Sequence, residues 1–215
     1  TIPIARVPDV PPPSRETLDA SIRKAADFLL KEQNRDGSWG NHTRTKGLNV
    51  LCPYPEGPRS FRTASTSLCV IGLLTSPLKE DPAVKASLDK ALQYLLTTLP
   101  TLKRGDTRTV LGVWGHAYGL SALSRAARNL PADAPLREEL KKVASLQVKA
   151  LDQMADVQGG WGYYTFETFS KRPIGEPTSF LTATVLLAYK DAEQAFGLKA
   201  EPRIVKRAVA CLEKL

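Results

Sequence analysis

The side chains able to exchange a proton or hold a ligand gather at a few points along the chain. His116, in the run Gly112-Val113-Trp114-Gly115-His116-Ala117-Tyr118, offers an imidazole that can serve as acid, base or ligand near neutral pH. No partner stands at local spacing from it, and the plainer reading is a histidine satisfied by backbone at a helix start. Trp161, Tyr163 and Tyr164 offer ring faces that could cradle a cation or an apolar ligand, with plain packing between repeats as the structural reading. Arg62, Thr63 and Ser65 precede an apolar segment, and Glu176, Thr178 and Ser179 precede another. Glu167 and Glu176 flank Lys171-Arg172 and read most simply as solvated loop charges. Cys52, Cys69 and Cys211 have no metal-ligand spacing and leave one thiol over in any pairing, so neither a metal nor a cofactor is expected.

These residues must be positioned by helices. Leu18, Ile22, Ala25 and Leu29 recur at helical spacing, which predicts an amphipathic helix from the Ser14 cap to about Gln33. Asn34, Asp36 and Gly37 then stop it, and Trp39 follows as a large plate. A long irregular stretch is expected from Asn41 to Arg62, carrying Cys52, Tyr54 and Phe61, of a length that is usually functional or a lid. Helix two is predicted over Thr63 to Thr75, so apolar that it must be buried. Helix three follows the Asp81-Pro82 start signal, helix four covers Tyr118 to Asn129, and helix five Leu136 to Ala155. Helix six covers Thr178 to Phe196, and helix seven begins after Glu201-Pro202 and still runs at Leu215.

A repeat underlies this order. Lys24-Ala25, Lys90-Ala91, Lys149-Ala150 and Arg207-Ala208 open the same basic-Ala-x-x-hydrophobic pattern at intervals of about 60 residues, two helices each. Odd helices are amphipathic and even ones nearly all apolar, as an outer and an inner ring require. The turns then deliver Arg62, Trp114, His116, Tyr118, Tyr163, Tyr164 and Glu176 to the N-terminal ends of inner helices, where they could line a shared aromatic and polar cavity.

Lys24-Ala25-x-x-Phe28-Leu29-x-x-x-Gln33-x-x-x-Gly37-x-Trp39 resembles the QW repeat of the terpenoid cyclases, and Gln158-Gly-Gly160-Trp161 has the same flavour. The resemblance extends to squalene-hopene cyclases, protein prenyltransferase β subunits and related α-α toroid proteins. It implies an all-α, toroid-like stack of helical hairpins. Gln33 would bond the incoming turn and Trp39 would cover the junction. A full ring of this kind has about six hairpins; this chain offers three and the first helix of a fourth, so more chain or a partner is expected to complete it. The catalytic motifs of those families are missing. Glu176-Pro177-Thr178-Ser179 stands where class II cyclases carry Asp-x-Asp-Asp, His116-Ala117-Tyr118-Gly119-Leu120 lacks the zinc-binding Cys of the prenyltransferase segment, and no thioester Cys-Gly-Glu-Gln occurs.

Composition narrows the partners. The chain has 215 residues, 42% of them hydrophobic, and a net charge of +8 from 30 Lys+Arg against 22 Asp+Glu. The basic residues are spread along the chain with no aromatic interleaving, which argues against nucleic acid and leaves an acidic membrane surface open. The longest apolar run, Leu68 to Leu74, is too short to span a bilayer. Residues 1–13 carry five prolines and read as an extended arm ahead of a helical domain over 14–215. With the start at Thr1, that arm suggests an exported or periplasmic protein. The expected role is a non-catalytic binding or scaffold domain for an apolar, isoprenoid-like ligand or a protein partner, a second copy included. The alternatives are a cyclase-like isomerase whose acids lie elsewhere and a structural subunit docked to a membrane complex.

Overall fold

Ser14 turns the end of the Pro-rich arm into a helix by accepting the Thr17 N–H on its hydroxyl at 3.2 Å. This is the first of seven α-helices in a computed structural model of the chain, which describes residues 11–41, 56–105, 107–167 and 170–214. They are α1 (Arg15–Lys31), α2 (Glu56–Thr75), α3 (Pro82–Thr98), α4 (Gly112–Arg128), α5 (Pro135–Met154), α6 (Ser179–Phe196) and α7 (Pro202–Leu212). A 3-10 turn, Leu99–Thr101, extends α3. Among the described residues there is no strand, only an isolated antiparallel bridge between Thr109 and Tyr164. The protein is all-α. No helix of the described residues is long and apolar enough to cross a membrane.

The even helices lie side by side, with α4 between α2 and α6. The odd helices cover them: α3 packs on α2, α5 on α4 and α7 on α6, while α1 and α5 each touch α3. The core fills the space between the two rows, with Val70 and Leu73 from α2, Val113, Leu120 and Leu123 from α4, and Val185 from α6. Asp191 pins the far ends of α4 and α6 together, accepting from Arg125 Nε at 3.1 Å and Arg128 Nη2 at 3.2 Å.

Several boundaries differ from the expectations. α2 starts at Glu56, not Thr63, because Pro58 falls in its first turn, where a missing N–H breaks no helical bond. The stretch expected to be a loop from Asn41 to Arg62 is shorter by that amount. Its residues 42–55, with Cys52 and Tyr54, lie outside the described residues, as do residues 1–10 of the arm. α4 starts at Gly112, not Tyr118, so Trp114 and His116 lie inside the helix. α7 closes at Leu212. Of the Leu18, Ile22, Ala25 and Leu29 stripe, Leu29 packs half-buried against the core, while Leu18 stays half exposed and Ala26 is the buried residue of α1. Helix two is not wholly buried either, since Leu68 lies open.

Candidate functional site

Two turns with the same internal wiring join odd helices to even ones. In the first, the Asn34 N–H donates to Ser38 O at 2.9 Å and the Gly37 N–H to Asn34 O at 2.9 Å. In the second, the Asp156 N–H donates to Gly160 O at 2.9 Å and the Gly159 N–H to Asp156 O at 3.0 Å. The indole N–H of Trp39 reaches back ten residues to Leu29 O at 2.7 Å, and that of Trp161 reaches back ten to Leu151 O at 2.9 Å. Each Trp backbone N–H is taken by a threonine hydroxyl of the next inner helix, Thr66 at 3.0 Å and Thr182 at 3.1 Å. The rings thus satisfy the last carbonyls of one helix while filling the junction with the next.

Glycine is required at the equivalent position of both turns. Gly37 (φ 87°) and Gly159 (φ 103°) are left-handed, and a Cβ on them would collide with the main chain of Lys90 and Arg207 respectively. Lys90 and Arg207 are the basic members of the sequence repeat, so that pattern marks the odd helix on which the preceding turn rests. Gln33 behaves as its place in the repeat suggests. Its Nε2 donates to Gly37 O and Ser87 O, both at 2.9 Å, and its Oε1 accepts from Ser87 Oγ at 2.9 Å. Gln158 does not play that part. It stands opposite Asp36 in the wiring, and its amide donates to Gly175 O at 3.3 Å. The counterpart of Gly37 is Gly159, and Gly160 corresponds to Ser38.

A backbone bridge then sets the second group of rings. Val110 N–H donates to Tyr163 O at 2.7 Å and Thr165 N–H to Arg108 O at 2.8 Å, clamping the α5–α6 connection to the entry of α4. Tyr163 is thereby held 6.2 Å from the Trp114 ring, centroid to centroid, and Tyr164 is held 6.3 Å from Tyr163. Trp114 stacks on Tyr118 at 5.4 Å, one helical turn along α4. The sequence reading missed Phe180, which completes the group by stacking on Trp114 at 6.1 Å and lying 6.1 Å from Tyr163. Its signal was present: Phe180 follows Ser179 at the start of an inner helix, the place where ligand-facing residues were sought. Phe180 is 53% exposed, Tyr164 is exposed, and Trp114, Tyr118 and Tyr163 are half-buried. Leu187, seven residues beyond Phe180, and Leu68 on α2 are exposed as well. Partial burial raises the Tyr163 pKa above its ordinary 10.0, so this hydroxyl is neutral at physiological pH. The group offers apolar area and ring faces.

The remaining candidates stand elsewhere. His116 is two residues from both Trp114 and Tyr118, which turns it to another side of α4, and its Nδ1 lies 2.6 Å from Gln147 Oε1 of α5. It is satisfied at this nitrogen by a side chain, not by backbone at a helix start. Burial lowers its pKa below 6.5, against the opposing effect of the Gln147 bond. Arg62 Nη2 donates to both Asp36 oxygens, at 3.0 and 2.9 Å, and its guanidinium lies 5.7 Å over the Tyr94 ring. That places Arg62 at the first turn, apart from the aromatic group. Glu176 is exposed just ahead of α6, with its carbonyl packed close on Gly162. Among the described residues, no three His, Cys, Asp or Glu gather where they could hold a metal ion. No family model matches the chain, and no solved structure matches it.

Proposed function

We propose that this is a binding domain of the α-α toroid type, related to the prenyltransferase and squalene-oxidase repeat proteins, and that its ligand is an apolar, isoprenoid-like chain laid across α4 and α6. One observation carries the reading: Trp114, Tyr118, Tyr163, Tyr164 and Phe180 form a continuous group of rings on the open side of the inner row, with Phe180 53% exposed. Large apolar groups left in water together mark a binding surface more often than single exposed residues do. The two wired turns support the toroid reading, because their repetition carries one helical hairpin onto the next. Energy transfer from tryptophan to dansyl-labelled farnesol tests the proposal. Saturable transfer is expected, with affinity about tenfold weaker in Phe180→Ala, the loss of part of one buried ring. Equal affinity in the variant would remove the ring group from the account.

A second reading, a scaffold extended by a protein partner or a second copy, is favoured by the outermost helices. Phe28 on α1 is 61% exposed and Val209 on α7 is exposed, and repeat arrays normally close such faces with polar residues or a neighbour. Light scattering over a concentration series separates this reading from a monomeric binder.

A further inference from the structure

His116 is 2% exposed, yet one of its ring nitrogens is unused. Gln147 Nε2 donates to Val143 O at 3.1 Å, which orients the amide so that Oε1 faces the imidazole. An amide oxygen only accepts, so His116 donates from Nδ1, and the neutral ring carries its lone pair on Nε2. Burial favours that neutral form. Nε2 is buried and has no hydrogen-bond partner among the described residues. A buried acceptor of this kind calls for an N–H or O–H donor from outside.

His116 lines a cleft of about 590 Å³ between the α3–α4 connection and α5, together with Lys103, Arg104 and Lys171. Among the described residues no carboxylate lines this cleft, and Lys103 and Lys171 bring two ammonium groups to it. The cleft also adjoins the start of α4. A Cβ on Gly112 would lie 3.2 Å from Lys103 O, 3.4 Å from Met154 Cε and 3.7 Å from His116 Cδ2, the ring carbon bonded to the unused nitrogen. Leu111 gives that helix start no side-chain cap, and its positive end adds to the field of the cations.

A ligand for this cleft must be an anion, to meet the lysines, and must also carry an O–H, to meet the bare nitrogen. Hydrogen phosphate has both. Sulfate has nearly the same shape and charge but no proton to give at neutral pH. We propose that the cleft is a binding site for inorganic phosphate, with the phosphate O–H donating to His116 Nε2 and its charged oxygens facing Lys103 and Lys171. The site lies on another side of α4 from the aromatic group and stands or falls independently of it.

Calorimetric titration at pH 8 and low ionic strength tests this with two anions and two surface variants. Phosphate is expected to bind at least tenfold more tightly than sulfate, and Lys103→Gln and Lys171→Gln should each weaken it several-fold while leaving the melting temperature unchanged. On 15N-histidine spectra, phosphate should move the His116 Nε2 resonance without changing the Nδ1–H tautomer. Equal affinity for sulfate would show that charge alone attracts anions to the cleft and would overturn the proposal. Absence of binding by either anion, an unmoved Nε2 resonance, or full phosphate affinity in both lysine variants would overturn it as well.

Discussion

Trp114 on α4 and Phe180 on α6 lie nearly parallel, 6.1 Å apart with 16° between their planes. Two helices distant in sequence thus join their rings on an open surface. The alignment follows from the clamp between the α3–α4 and α5–α6 connections and, at the far end, from the Asp191 pins. The surface is therefore held in shape by the fold itself, which would lower the ordering cost of the binding proposed for it.

The two turn tryptophans have a different task from Trp114. Trp39 is 4% exposed and Trp161 is fully buried. Replacing either with alanine opens a cavity, strands the Leu29 or Leu151 carbonyl, and should cost about 3 kcal/mol. Urea denaturation of Trp39→Ala and Trp161→Ala measures this directly. Midpoints unchanged in both variants would sink the junction role.

The glycines allow backbone strain to be separated from collision. Gly197 (φ 69°) closes α6 in open space, with nothing near a would-be Cβ, whereas Gly159 faces the Arg207 carbonyl. Gly197→Ala should cost about 1 kcal/mol, the price of a left-handed alanine. Gly159→Ala should cost at least twice that. Similar losses in the two variants would show that α7 does not rest on the second turn.

Asp36 gives a pH signature. Burial tends to raise its carboxyl pKa, but bonds from the Ser38 hydroxyl and N–H, with the Arg62 charge, outweigh this and hold it below its ordinary 3.8. A lowered folded-state pKa means a stabilisation complete above 3.8 and lost as pH falls through the folded value. The native protein should therefore lose stability more steeply than Asp36→Asn when pH drops below about 4. Parallel acid-melting curves would contradict the Asp36–Arg62 link.

Helix existence was legible from the chain because its signals are local. Ser14 caps α1, and Asp81 accepts the Ala83 N–H at 2.9 Å, as their positions before helical patterns indicated. The early starts of α2 and α4 were not legible, because Gly57-Pro58 and the glycines Gly112 and Gly115 read locally as breaks. Gly115 is small because Ser60 Oγ and Leu102 Cδ1 would each lie 2.8 Å from a Cβ there, a reason that exists only after α2 and the α3–α4 connection have packed on α4. The His116–Gln147 pair spans 31 residues and two helices, so inspection of local spacing could not find it. Phe180 was missed for a similar reason: its neighbours Thr178 and Ser179 were singled out, but the stack on Trp114 depends on how α6 lies beside α4.

Collisional quenching tests the binding surface most directly. Trp39 and Trp161 are buried and Trp114 is half-buried, so acrylamide acting on the folded protein reports chiefly on Trp114. Saturating farnesol should lower the quenching constant in the native chain and change it much less in Phe180→Ala. A constant that farnesol leaves unchanged in the native protein would mean that the aromatic surface takes no such chain, and the proposed function would fail with it.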